Sequence, residues 1–155
     1  MIDKVVPQVR SRMMASVKSR NTQPERAVRS WLHRNGFRFR THRRNLPGVP
    51  DIVMPGRRIA IFVHGCFWHR HARCKNASFP ASNVEFWRAK FDANVSRDKA
   101  VRSQLRKAGW TVFTVWECQT ESLEALNAKM RSLFKLDAGE GPIHLSQPKQ
   151  KRRKV

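Results

Sequence analysis

Residues 51–64, DIVMPGRRIAIFVH, decide the fold of this chain. Asp51 begins a short apolar run, Pro55 and Gly56 supply a turn, and a second apolar run continues to His64. Two β-rich segments joined by so short a turn predict an antiparallel hairpin. The second strand, from about Arg58, is more continuously apolar and is therefore expected to be the more buried one.

Upstream of the hairpin, the sequence predicts one helix and one further strand. Thr22 is a suitable N-cap, Pro24 suits the first turn, Glu25 completes a capping box, and Gly36 ends the helix. Phenylalanine and arginine then alternate, so residues 37–41 are predicted to form a half-buried strand.

Downstream, residues 65–83 show no periodicity and predict an irregular loop. A long helix is expected from Val84 to Lys107, then a strand from Trp110 to Trp116, and then a last helix capped by Thr120. The side chains expected to face inward from the two helices are Phe86, Trp87, Phe91, Val95, Val101 and Leu105, and Leu123, Leu126, Met130, Leu133 and Phe134. This order of elements predicts an α/β fold with a mixed central sheet flanked by helices.

The charge of the chain narrows the class of partner. Its 155 residues suit one domain, and 32 Lys and Arg against 11 Asp and Glu give a formal net charge of +21. Such an excess favours a polyanion, with nucleic acid the leading candidate. Because 40% of the residues are hydrophobic, a wholly disordered basic chain is excluded. Without a membrane span or a signal peptide in view, we expect a cytoplasmic, nucleoid-associated protein.

The distribution of charge suggests three regions. Residues 1–20 are predicted to be a basic arm that contacts nucleic acid, residues 21–136 the folded domain, and residues 137–155 a basic, flexible tail. A single basic run is usually just a solvated face, but here the excess is sustained along the whole chain.

Four potential metal ligands are concentrated around the predicted loop. Cys66, His71 and Cys74 fall within nine residues, and Cys118 follows directly after a predicted strand. A structural zinc ion takes four nitrogen or sulfur ligands in a tetrahedron, which three cysteines and one histidine would supply. The alternative is three unrelated buried thiols. We favour zinc, because an irregular loop has few other means of holding its shape.

Asp51, His64 and His69 are candidates for chemistry. Asp51 begins a buried strand, where a carboxylate must be paired or bind a metal, although an ordinary turn aspartate is the alternative. The short turn should bring His64 close to Asp51. One carboxylate and two histidines at a sheet edge suit Mg²⁺-assisted phosphodiester hydrolysis. Asp98 on the long helix can either orient a histidine or pair with Arg102, and the sequence leaves both open.

Phe67 and Trp68 are unusual because they stand between a presumed metal ligand and a histidine. The ordinary interpretation is a small satellite core under the loop. On a DNA-binding face, such side chains can instead wedge between base pairs and kink the duplex. Met13 and Met14 in the basic arm allow the same two interpretations, a docking contact or a wedge from the opposite side.

Three stretches of the sequence together resemble the very short patch repair endonuclease family. They are LPGVPD at 46–51, FVHGCFWHRH at 62–71 and VWEC at 115–118, and the resemblance runs in the same order from about Ser11 to Cys118. It implies a fold similar to type II restriction endonucleases. It also implies recognition of the T:G mismatch left when 5-methylcytosine deaminates, and a nick 5′ of the mismatched thymine that initiates a short repair tract.

The resemblance also implies a role for each matched residue. Asp51 would bind Mg²⁺ at the scissile phosphate, His64 and His69 would assist hydrolysis with His69 as the favoured general base or acid, Asp98 would pair with His69, and Glu25 would support the active site. The implied structural zinc ligands are Cys66, His71, Cys74 and Cys118. The implied DNA wedge consists of Met14, Phe67 and Trp68. Val63 is a departure, since the best-known member has a threonine there.

The leading hypothesis is therefore a monomeric, Mg²⁺-dependent enzyme that nicks double-stranded DNA at a T:G mismatch, with mismatch-repair proteins as candidate further partners and no membrane association. The alternative is a non-catalytic, zinc-stabilised nucleic-acid-binding protein. A small basic ribonucleoprotein component would explain the charge but not the metal ligands. Asp51, His64 and His69 discriminate between these classes, because a protein that only binds needs none of the three.

Overall fold

The computed structural model describes residues 20–136. The predicted tail and all but the last residue of the predicted arm, including Met14, lie outside the described residues. The helices are α1 (Gln23–Arg34), α2 (Val84–Lys107) and α3 (Leu123–Leu133). The strands are β1 (Arg40–Thr41), β2 (Ile52–Met54), β3 (Ile59–His64) and β4 (Thr111–Trp116). None of the helices in this part of the chain has the length and apolar character needed to cross a membrane.

The four strands form one mixed sheet in the order β1-β2-β3-β4. The pairs β1–β2 and β2–β3 are antiparallel, and β3–β4 is parallel. The predicted hairpin and the predicted order of elements are thus confirmed. The parallel pair runs in register from Ile59 opposite Thr111 to His64 opposite Trp116, and α2 lies in the connection between its two strands.

Strand β3 is covered on both faces of the sheet. Ile61 lies in a core shared with α1 and α3, against which Ile59 and Val63 also pack. Ala60 and Phe62 lie in a second core with Leu105 of α2. Side chains alternate between the two faces of a strand, so a strand covered on both sides must be apolar at every position. This explains the unbroken apolar run from residue 59 to residue 63.

The start of α1 differs from the prediction in one detail that matters for the site. The Thr22 hydroxyl accepts a hydrogen bond from the Glu25 N–H at 3.3 Å, as an N-cap should. The Glu25 carboxylate does not complete the capping box with Thr22. It accepts the N–H of Asn21 at 3.1 Å, and Glu25 is 3% exposed. The first turn of α1 therefore carries a buried carboxylate into the protein.

The predicted strand over residues 37–41 is shorter than expected. Only Arg40 and Thr41 pair with β2, opposite Val53 and Ile52. Strand β2 has only three residues, which leaves little backbone for β1 to pair with. Phe37 is buried instead in the core, with its ring 4.5 Å from that of Phe134.

Three inward positions and one cap were predicted wrongly. Phe86 and Val95 of α2 and Leu123 of α3 are exposed. Helix α2 has 24 residues, far more than the six-residue strands β3 and β4 cover, so only part of its apolar stripe is buried. The cap of α3 is Ser122, whose hydroxyl accepts the Ala125 N–H at 3.1 Å, and not Thr120.

Gly48 is expected to be intolerant of a side chain. Its φ is +70°, and a Cβ built there would overlap the Val101 side chain of α2. We expect Gly48→Ala to lower the free energy of unfolding by about 1–3 kcal/mol through overpacking and strain. Gly56→Ala is the matched control, since a Cβ there meets nothing within 4 Å. Equal urea denaturation midpoints for the two variants would contradict the assigned contact.

Candidate active site and metal cluster

The side chains singled out from the sequence converge at one edge of the sheet, where β3 and β4 end and β2 begins. Because β2 and β3 are antiparallel, Asp51 at the start of β2 lies beside the end of β3. The Asp51 Oδ2 atom accepts the Val63 N–H at 2.7 Å. Asp51 was expected to lie close to His64, and its hydrogen bond is made to Val63, the residue immediately before His64. The contact uses the backbone of Val63, so the loss of a threonine hydroxyl at this position does not affect it.

Asp51 belongs to a cluster with Glu25 and a residue that the sequence did not reveal, His42. The His42 Nε2 atom lies 3.1 Å from Glu25 Oε2 and 3.9 Å from Asp51 Oδ1. One ligand atom from each of the three residues lies within 4.8 Å of the others, so the cluster could hold a metal ion. Its position follows from the β1–β2 pairing, whose register continues from Thr41 opposite Ile52 to His42 opposite Asp51.

The electrostatics of this cluster favour a cation. Burial raises the pKa of Asp51 to about 6, and the nearby charge of Glu25 acts in the same direction, while the hydrogen bond from Val63 opposes it. Two carboxylates that are close together and largely buried repel one another. A bound cation relieves this repulsion and competes with a proton for the carboxylates.

A second cluster contains His64, His69 and Asp98, whose ligand atoms also lie within 4.8 Å of one another. The His69 Nδ1 atom is 2.7 Å from Asp98 Oδ2, so Asp98 faces a histidine. Burial of Asp98 acts against ionisation, but the hydrogen bond from His69 and the nearby His64 and Arg102 together lower the pKa of its carboxyl group. Asp98 is therefore a carboxylate acceptor at neutral pH.

The two histidines have different environments although their rings are stacked, with centroids 3.8 Å apart and planes 6° from parallel. Burial lowers the pKa of His64 to about 4, so His64 is neutral at physiological pH. Its Nδ1 atom is buried and has no hydrogen-bond partner among residues 20–136. His69 is less buried, and its Nδ1 atom is held by Asp98.

The four residues predicted to bind zinc also come together. Ligand atoms of Cys66, His71, Cys74 and Cys118 lie within 4.8 Å of one another. The His71 Nδ1 atom is 3.7 Å from Cys66 Sγ and 3.4 Å from Cys118 Sγ. A tetrahedral ion with ordinary zinc bond lengths separates a nitrogen and a sulfur ligand by about 3.6 Å. These two nitrogen–sulfur distances are close to that value, so the cluster could hold a tetrahedral metal ion.

Residues at the end of β4 join the cysteine cluster to the histidine pair. The Trp116 ring stacks on His71 at 4.3 Å and meets the His64 ring edge-on at 5.5 Å. The next residue, Glu117, accepts the Cys66 N–H through Oε2 at 3.3 Å. Both clusters thus rest on the same strand end.

Phe67 and Trp68 pack on α2. The Phe67 ring lies 5.7 Å from the Trp87 ring and 5.2 Å from the Phe91 ring, and the Trp68 ring lies 5.9 Å from that of Trp87. These ring contacts are those of a small satellite core, the ordinary interpretation of this pair. Both residues keep part of their surface exposed, which leaves a role on DNA open to them.

Arg70 ties the loop together from within. Its guanidinium donates hydrogen bonds to the carbonyl oxygens of Phe67, Ala77 and Ser78 at 3.1, 2.7 and 3.2 Å, and its Cζ lies 4.1 Å from the centre of the Phe91 ring. A planar guanidinium can make these contacts at once, and a lysine ammonium cannot reproduce them.

We expect Arg70→Lys to lower the thermal midpoint, corresponding to about 1–3 kcal/mol, because two or more carbonyl contacts are lost. Arg73→Lys is the matched control, since Arg73 is exposed in the same loop and also has a positive φ. Differential scanning calorimetry of both variants provides the measurement. If Arg70→Lys and Arg73→Lys have the same thermal midpoint, Arg70 does not stabilise the loop.

A sheet edge that presents a buried carboxylate cluster, an oriented histidine and one further cluster able to hold a metal ion suits the hydrolysis of phosphodiesters. Comparison with known proteins agrees with this class. The family model for DNA mismatch endonuclease Vsr matches residues 2–76. The chain is 47% identical to type II nicking enzyme V.XorIIP of Xanthomonas oryzae pv. oryzae over 134 residues, 86% of this chain and 98% of that protein. It is 40% identical to DNA mismatch endonuclease Vsr of Escherichia coli K12 over 134 residues, 85% of each chain.

The chain belongs to the Vsr family of DNA mismatch endonucleases. It is a DNA-nicking endonuclease, and its mixed four-stranded sheet with three helices is consistent with an α/β nuclease fold. The family resemblance inferred from the sequence is confirmed. The alternative of a non-catalytic nucleic-acid-binding protein is set aside.

Proposed function

We propose that the enzyme is a Mg²⁺-dependent, strand-specific endonuclease that recognises T:G mismatches arising from 5-methylcytosine deamination and nicks 5′ of the mismatched thymine. The observation that carries the proposal is the placement of Asp51. Its carboxylate is anchored by the Val63 N–H, beside His42 and Glu25 on the same sheet edge as the His69–Asp98 pair. The names of the two relatives, a mismatch endonuclease and a nicking enzyme, support the substrate class.

Asp51 and Glu25 are the groups that would hold the Mg²⁺. Their oxygen ligands suit a hard cation, and the Oδ1 atom of Asp51 is not the one that accepts the Val63 N–H. When bound, Mg²⁺ stabilises the negative charge that develops on the phosphate oxygens. The protein contributes the fixed position of Asp51, because its second oxygen cannot turn away without losing a buried hydrogen bond.

His69 is the better general base of the two histidines. An ionised Asp98 can only accept a hydrogen bond, so the proton of a neutral His69 lies on Nδ1 and leaves Nε2 as a proton acceptor. His69 can then take a proton from the attacking water as its oxygen bonds to phosphorus and the bond to the leaving oxygen breaks. The low pKa of His64 makes it a weaker base, and its stacked ring holds the plane of His69.

Recognition is assigned to a wedge of apolar side chains. Phe67 and Trp68 lie in the same loop as His69, so a base step opened by them would be near the reacting phosphate. Lys90 reaches within 5.7 Å of the Trp68 ring centre and offers a positive charge at the same surface. Met14 joins the wedge on the family resemblance alone.

The first test of this function is Asp51→Asn, which keeps the shape of the side chain and removes its charge. We expect nicking of a T:G duplex to fall by about 10³-fold or more, with DNA binding within a fewfold of wild type, because metal binding is lost and shape is kept. Single-turnover cleavage and fluorescence anisotropy provide the two measurements.

Asp92→Asn is the control, since it makes the same chemical change at an exposed position of α2. Wild-type cleavage by Asp51→Asn would overturn the assignment of the metal ligand. Equal cleavage of T:G and matched T:A duplexes by the wild-type enzyme would overturn the proposed mismatch recognition.

We also propose that Cys66, His71, Cys74 and Cys118 bind a structural zinc ion. About one zinc per chain is expected in freshly purified protein, and His71→Ala or Cys118→Ser should lose it and lower the thermal midpoint, because zinc binding contributes folding free energy. Atomic emission analysis of the protein measures the metal. His33→Ala, on the exposed face of α1, should retain a full complement, and zinc-free wild-type protein would contradict the site.

A further inference from the structure

His42 is placed at the site by the backbone of the sheet. Its N–H donates a hydrogen bond to the Asp51 carbonyl at 3.2 Å, immediately beyond the β1–β2 pair. Its φ is +47°, so the extended conformation of β1 ends at this residue. Histidine is among the residues that tolerate this left-handed conformation relatively well. The position of His42 beside Asp51 is therefore set before its side chain makes any contact.

The imidazole of His42 contacts both carboxylates of the cluster. Nε2 lies 3.1 Å from Glu25 Oε2 and 3.9 Å from Asp51 Oδ1, and the side chains of His42, Glu25 and Asp51 are 14%, 4% and 18% exposed. An ionised carboxylate can only accept, so the nitrogen donates to Glu25. Because this N–H group is shielded from water, a water molecule cannot easily replace it as a donor. The hydrogen bond therefore contributes strongly to the orientation of the Glu25 carboxylate.

Among residues 20–136, each carboxylate accepts one further hydrogen bond, and both come from backbone N–H groups. Asn21 donates to the same Oε2 atom of Glu25, and Val63 donates to Oδ2 of Asp51. Each of these N–H groups binds one carboxylate, the first from the start of α1 and the second from β3, so neither links the two carboxylates directly. His42 is the side chain among residues 20–136 that contacts both carboxylates.

We propose that His42 is a positioning residue that holds the Glu25 carboxylate against Asp51 and so preforms the metal site. This inference rests on the proposed function of Asp51 and Glu25 in metal binding. Without the Nε2 donor, mutual repulsion separates the two carboxylates. Part of the free energy of cation binding is then used to bring them together. The loss therefore falls on metal affinity, while the rate of the metal-saturated enzyme is largely kept.

The test compares His42→Asn with His42→Gln. Both introduce an amide, but only glutamine is long enough to place a nitrogen where Nε2 lies. Asparagine tolerates the left-handed backbone better than glutamine does, so backbone strain would make the glutamine variant the worse of the two. The positioning role predicts the opposite order. His33→Asn on the exposed face of α1 is the control for removing an imidazole.

The first readout is binding of Mn²⁺ alone to the zinc-loaded protein without DNA, followed by the electron paramagnetic resonance signal of free Mn²⁺. We expect the dissociation constant to rise about tenfold in His42→Asn, as is usual for the loss of a residue that orients a metal ligand, and to stay within about twofold of wild type in His42→Gln. The second readout is the Mg²⁺ concentration at half-maximal nicking of a T:G duplex, which should move in parallel, with the maximal rate within about threefold of wild type.

Three results would overturn the inference. They are wild-type metal affinity in His42→Asn, equal defects in the asparagine and glutamine variants, and a fall in maximal rate with unchanged half-saturating Mg²⁺. Failure of the wild-type enzyme to nick in Mg²⁺ would instead overturn the proposed function, so the two failures are distinguishable. Thermal melting of each variant identifies any that does not fold at the assay temperature. The dissociation constants of the asparagine and glutamine variants for Mn²⁺ are then compared at a lower temperature, where both are folded.

Discussion

Parallel pairing of β3 with β4 is the constraint on which the rest of the structure depends. Two parallel strands cannot be joined by a tight turn, so the chain must leave the sheet after His64 and return at Thr111. The register sets His64 opposite Trp116, and Cys66 and Cys118 each follow two residues later. The two thiols therefore meet beyond the strand ends, where the Cys118 N–H lies 3.4 Å from Cys66 Sγ. The contact between Cys66 and Cys118 in the cysteine–histidine cluster is therefore set by the register of β3 and β4.

The same crossover determines what faces the histidines. Helix α2 must run back along the sheet to deliver the chain to β4, and in doing so it passes the loop that follows β3. Asp98 thereby reaches His69, and Asn94 donates to the carbonyl of Trp68 at 3.1 Å. One topological requirement thus supplies both Cys118 of the cysteine–histidine cluster and the carboxylate that faces His69.

Much of this arrangement is readable from the sequence, because local patterns specify it. The bounds of α2, the hairpin and the order of elements follow from periodicity and turn residues, and the four members of the cysteine–histidine cluster follow from their spacing. The family resemblance added the pairing of His69 with Asp98. The cap at Thr22 was also predictable, whereas the partner of Glu25 was not, because its carboxylate contacts a residue far away in the sequence, His42.

The features that could not be predicted depend on tertiary contacts. His42 follows a strand of two residues and has a left-handed backbone, so no periodicity identifies it. Phe86 and Val95 match an apolar stripe, but exposure depends on where the sheet stops covering the helix. Arg70 resembles any loop arginine until the carbonyl groups it binds have been brought around it.

The loop between Cys66 and Cys74 carries members of two clusters in one short stretch. His69, which faces Asp98, lies between Cys66 and His71 of the cysteine–histidine cluster. A change of length within this stretch would displace His69 and the cysteine–histidine cluster together. A change of length over residues 80–83, beyond the Ala77 and Ser78 carbonyl groups that Arg70 binds, need move neither. Natural variation among homologues is therefore expected to collect in this second segment, where new sequence can alter how the protein meets DNA while the reacting groups keep their spacing.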